Sequence, residues 1–139
     1  MLLTRETDYA LRILRALADG DRMTVQSIAD SQMVPKQFAY KIIKKLSKGG
    51  LVSIARGAEG GCTLCADLKE VSLYDLMQAV EEGFQVIACL EPGYPCSWQA
   101  ANGACTAHCQ LAHLQQRLDR EFRSHSLHSI LFGPEESCS

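Results

Sequence analysis

Between residues 24 and 65 the chain passes from a short helical period through a brief break into a longer helical period, then into two β-type runs around a glycine-rich turn. Few folds accommodate that order. Thr24 is suited to cap TVQSIADSQ, in which Val25, Ile28 and Ala29 share one face while Gln26, Ser27 and Asp30 share the other. After SQMV, Pro35 fits the first turn of PKQFAYKIIKKLSK, where Phe38, Ala39, Ile42, Ile43 and Leu46 recur at helical spacing until Gly49-Gly50 ends the run. LVSIA, RGAEGG and CTLC then read as strand, turn and strand. A short helix, a tight turn, a longer helix and a hairpin predict a winged helix-turn-helix.

The flanking segments extend this plan. Leu3, Ala10, Ile13, Leu14, Ala16 and Leu17 place a first helix within residues 3–19, closed by Asp19-Gly20-Asp21. VSLYDLMQAVEEG, residues 71–83, presents Leu73, Leu76, Met77 and Val80 on one side, with Ser72 as its expected cap. Downstream, QLAHLQQRLDREFRSHSLHSIL, residues 110–131, sets Leu111, Leu114, Leu118 and Phe122 at steps of three and four, a stripe expected to pair with a second copy. A chain of 139 residues, 47% hydrophobic, buries one sizeable core. The expected architecture is mainly α. It comprises a winged helix-turn-helix DNA-binding domain over 1–83, a cysteine-rich loop and long C-terminal dimerisation helix over 84–132, and a disordered tail over 133–139 that carries Cys138.

Net charge is −2, yet residues 1–57 carry ten Lys/Arg against five acids and the remainder four against eleven, a balance of +5 followed by −7. A basic half is the electrostatic footprint of a polyanion partner. The third helix turns Lys36, Gln37, Tyr40, Lys41, Lys44 and Lys48 outward, and Ser27 faces out from the second. Those side chains are expected to meet the major groove of a palindromic operator, with Arg56 at the hairpin tip entering the adjacent minor groove. A lysine-rich solvated face is the plainer alternative, and the hairpin argues against it.

Arg5, Glu6, Asp8, Arg12 and Arg15 interrupt the N-terminal apolar residues, so no uncharged run long enough for a signal peptide or membrane span occurs there. The expectation is a soluble, cytoplasmic protein. In a reducing compartment the seven cysteines point to metal or redox use rather than structural disulfides. Cys62 and Cys65, three apart in a strand, face opposite sides and are expected to be packing residues. Cys89, Cys96, Cys105 and Cys109 lie instead in a segment broken by Pro92, Gly93, Pro95 and Gly103, the kind of loop that wraps an inorganic centre. Asn102 is the expected cap of the last helix, which would place Cys105 in its first turn, where free N–H groups favour a bound thiolate. Soft thiolates suit an iron–sulfur cluster or zinc. No nucleophile–base–orienter set accompanies them, so catalysis is not expected.

The opening LTRETDYALR, the run KIIKKLSKGGLV, the wing ARGAEGGCTL, the SLYDLMQAVEEG helix and three cysteines before a long last helix, in that order, resemble the Rrf2 family of winged-helix bacterial regulators. The resemblance spans nearly the whole chain. It implies that Cys89, Cys96 and Cys105 ligate a 2Fe–2S or 4Fe–4S cluster whose state controls operator affinity in a homodimer. Three residues compete for the fourth position. Asp8 stands where nitric-oxide-sensing relatives use a carboxylate from the partner subunit; His108 completes the C-x-x-H of another branch; Cys109, one turn after Cys105, is the softer donor. A regulator of the same fold that reads thiol oxidation or a partner protein without a cluster is the alternative.

Overall fold

The computed structural model describes residues 2–134. Most of the expected tail, including Cys138, lies outside the described residues.

Helix α1, Arg5–Leu17, starts where the Thr4 hydroxyl accepts from the Glu6 N–H, 3.2 Å away. Helix α2, Val25–Gln32, is capped by Thr24 as expected, its hydroxyl accepting from the Ser27 N–H. It ends on Met33, the one non-glycine residue with positive φ among those described (φ 55°). That left-handed step reverses the chain within three residues and launches α3, Lys36–Lys48, from Pro35. Pro35 is the residue before the first turn rather than within it, and its missing N–H costs nothing there. α1, α2 and α3 bury Ile13, Leu14, Leu17, Ile28, Ile42 and Leu46 completely against one another. Helix α4, Leu73–Val80, closes the core with Leu76 and Met77, and it begins in a reciprocal capping box between Ser72 and Asp75. The backbones of α3 and α4 come so close that a Cβ on Gly49 would sit 3.0 Å from that of Ala79.

The hairpin forms as expected, β1 Val52–Ala55 pairing antiparallel with β2 Gly61–Leu64 and Ile54 opposite Cys62. On the other edge of β2, Met23 exchanges both backbone hydrogen bonds with Cys62, at 3.0 and 2.7 Å. Gly61 permits this approach, since a Cβ there would lie 2.6 Å from the Met23 carbonyl oxygen. Cys62 is therefore buried in the core while Cys65 is exposed, its thiol donating to the Gly50 carbonyl at 3.3 Å. Burial raises the Cys62 thiol pKa above its ordinary value, which makes it a packing residue.

The last third departs from the simple plan. A 3-10 turn, Ala88–Leu90, and a short helix α5, Ser97–Asn102, occupy the loop, so Asn102 ends α5 instead of capping the next helix. The cap of α6, Thr106–Arg123, is Cys105 itself. The run through 110–131 is not one helix: Ser124, His125 and Ser126 interrupt it, and Ser126 caps a separate α7, Leu127–Phe132, through the Ser129 N–H. α7 folds back on the winged-helix core. Leu127 is fully buried, its N–H bonds the Val71 carbonyl at 2.8 Å, and the His128 N–H bonds that of Leu68 at 2.9 Å. The core of the N-terminal part thus includes a residue from beyond the expected division at residue 83.

Candidate DNA-binding face and cysteine centre

Tyr40, Lys44 and Ser47 of α3 and Ile54, Ala55 and Arg56 of the hairpin line one open groove, with Thr24 at its end. The helix lines the groove because Ala39, Ile42 and Leu46 hold its other face in the core, while buried Ile43 reaches the groove's lining. Lys36, Gln37, Tyr40 and Lys44 are exposed along α3, as is Ser27 on α2, and the Lys36 ammonium lies 6.0 Å from the centre of the Tyr40 ring. Arg56 is exposed at the hairpin turn. The turn is anchored from below by Arg22, whose guanidinium donates to the Glu59 carbonyl at 2.7 Å. Sequence reasoning missed Arg22, because it lies in a loop where no periodicity marks it.

Lys41 is placed differently from its neighbours. Its ammonium bonds Glu6 Oε1 at 2.9 Å, while Lys45 bonds Glu6 Oε2 at 2.5 Å and the Val80 carbonyl at 3.0 Å. The hydrogen bonds from Lys45 and then Lys41 hold the Glu6 carboxyl below the usual carboxylate range, and the same contact with Glu6 raises the Lys41 pKa. Beside them Glu81 Oε1 accepts from the hydroxyls of Thr4 and Thr7, each at 2.6 Å. These contacts lock α1, α3 and the end of α4 together.

The cysteine loop brings two of its donors together. The 3-10 turn presents Cys89 toward α6, and His108 Nδ1 lies 3.4 Å from its sulfur. Cys105 Sγ, at the helix cap, accepts from the His108 N–H at 3.4 Å, so these three residues surround the N-terminal turn of α6. Cys109 follows on the same turn and is exposed; Cys96 is half-buried at the cap of α5. Among the described residues no three His, Cys, Asp or Glu side chains converge into a complete metal cage. The donor chemistry nevertheless fits a thiophilic centre: two thiols and an imidazole already border one helix end, and a third thiol stands on the adjoining loop. Asp8 lies elsewhere, on α1, where Arg12 grips both its carboxylate oxygens at 3.2 Å. No described helix is long and apolar enough to cross a membrane.

A family model described as Rrf2, iron-dependent transcriptional regulator, matches residues 3–132. Protein aau3 of Rhizobium meliloti is 35% identical over 95 residues, 67% of this chain and 62% of that protein. The HTH-type transcriptional regulator NsrR of Bacillus subtilis is 31% identical over 94 residues, 66% of this chain and 64% of that one. The chain thus spans a little under two thirds of the length of these relatives. Among solved structures, CymR, the global cysteine regulator of B. subtilis, superposes with a TM-score of 0.68 at 20% identity, covering 96% of this chain and 98% of that one. At that identity the likeness is one of fold.

Proposed function

The chain belongs to the Rrf2 family of DNA-binding transcriptional regulators rather than to any class of enzyme, and from that premise we propose that it is a homodimeric reader of a palindromic operator, tuned by an iron–sulfur centre on Cys89, Cys96, Cys105 and His108. The observation that carries the centre is the 3.4 Å approach of His108 Nδ1 to the Cys89 sulfur, made by a residue that also donates its N–H to Cys105. That pairing favours His108 over Asp8, which Arg12 already holds, and over Cys109, which is exposed. When bound, the cluster supplies a redox- and ligand-sensitive state. The chain's own residues do the rest. Ser27, Lys36, Gln37, Tyr40 and Lys44 meet the major groove and Arg56 the minor groove, with Lys41 at the edge of that face, while α6 links the cysteine loop to the core beneath them.

The test is the visible spectrum and the iron and sulfide content of protein purified without oxygen, beside single variants. Cys89→Ala, Cys96→Ala and Cys105→Ala should lose the cluster, His108→Ala should shift its spectrum, and Asp8→Ala and Cys109→Ala should match the wild type. A spectrum that shifts only with Asp8 or Cys109 moves the fourth ligand to that residue. Protein holding neither iron nor sulfide would favour the cluster-free regulator that reads thiol oxidation.

A further inference from the structure

Helix α6 is eighteen residues long, yet its only buried residue is polar: Gln115 is 5% exposed. An amide shut away from water costs free energy unless both its ends are bonded. Both are. Gln115 Oε1 accepts from the Val86 N–H at 2.7 Å, and its Nε2 donates to Asp119 Oδ1 at 2.8 Å. Asp119 is one helical turn further along α6, so it orients the amide and presents the oxygen to Val86.

Gln115 is seven residues after His108, nearly two full turns, so the two share a stripe of α6 about 10 Å apart. Val86 and Cys89 are three residues apart on the facing segment, which Phe84 anchors in the core, edge-on to the Tyr74 ring at 5.5 Å. Two contacts then join the same pair of elements running antiparallel: Val86 to Gln115, and Cys89, three residues further along the segment, to His108, seven residues earlier on α6. A slip of the segment by one residue would break the first and withdraw the sulfur from the imidazole. We propose that Gln115 is a positioning residue for the cysteine centre, setting the register of residues 84–90 along α6 and so holding Cys89 opposite His108. This rests on the reading of Cys89 and His108 as ligands, but the register itself can be examined without a cluster.

In cluster-free full-length protein, iodoacetamide labelling resolved by peptide mass gives the rate at Cys89 relative to exposed Cys109. Gln115→Met keeps the side chain's length and removes both hydrogen bonds; it should speed Cys89 labelling at least about fivefold by freeing the segment to open. The double variant Gln115→Glu with Asp119→Asn exchanges the donor and acceptor roles while leaving an oxygen for Val86, and should restore the slow rate. In protein purified without oxygen, Gln115→Met should release iron to a chelator faster, with recovery in the double variant. Wild-type labelling of Cys89 in Gln115→Met, or a double variant that behaves like Gln115→Met, overturns the proposal. Should Gln115→Met fail to fold, the Val86 amide of the wild type decides: slow hydrogen exchange supports the bond to Gln115, and exchange at the rate of an open loop overturns it. A wild type without iron and sulfide would refute the cluster reading alone, since the labelling result still judges Gln115.

Discussion

Glu6 ties two lysines of α3 to the first turn of α1, and its carboxylate is worth more to the folded chain than to the unfolded one. The consequence has a sign. A carboxyl held low in the folded state stabilises it above the ordinary value of 4.5 and loses that contribution as pH falls from there through the lowered pKa. Glu6→Gln should therefore lower the urea midpoint at pH 7 by an amount equivalent to less than about 1 kcal/mol, since the pair is partly exposed. The difference should vanish in acid. The same substitution frees Lys41 for a phosphate and should steepen the salt dependence of DNA binding by about one unit; an unchanged slope would show that Lys41 already spends its charge on DNA. At this scale the sequence was partly legible. Burial of Cys62 as a packing residue followed from the strand pattern, but Cys65, expected to pack as well, lies just past the end of β2 and is exposed; the diversion of Lys41 to Glu6 was not legible either, because the two are 35 residues apart and only packing brings them together.

Helices α1 to α4 and the hairpin were readable because each buries one face against a single core, so their apolar spacing records their own geometry. Helix α6 was less legible for the opposite reason. The stripe expected to pair with a second copy leaves Leu114 44% exposed in the single chain, while neighbouring Gln115 turns inward, its burial licensed by hydrogen bonds that hydrophobic patterning does not see. The break at Ser124–Ser126 was hidden by helix-compatible residues on both sides; it exists because Leu127 reaches the core and its N–H reaches Val71. Leu127→Ala should cost roughly 2–4 kcal/mol, the range for emptying a sealed leucine site, measured by chemical denaturation. A loss under about 1 kcal/mol would mean that α7 is an appendage. Cys105 as its own helix cap was equally hidden, since thiols are uncommon in that role and Asn102 is a stronger cap by preference.

For the molecule as a whole, the uneven charge along the chain becomes a geometry: exposed Lys36, Lys44 and Arg56 are gathered on one side, where α3 and the hairpin form a groove, while Glu81, Glu82 and Glu91 belong to the region leading into the cysteine loop. Lys44→Ala should weaken binding to specific and random duplexes alike and lower the salt slope by about one, whereas Arg56→Ala should cost roughly 1–3 kcal/mol for the specific site alone. Titrations at several salt concentrations separate the two; equal effects on every sequence would reduce Arg56 to a phosphate contact. The return of α7 to the core bears also on how the protein is made. A nascent chain that has emerged from the ribosome through α4 has every element of the winged helix, but the site filled by Leu127 stands empty until α7 has been synthesised and has crossed back. Translation that stops before α7 therefore releases a chain with an unsealed core, prey to proteases before the cysteine loop is ever joined to it.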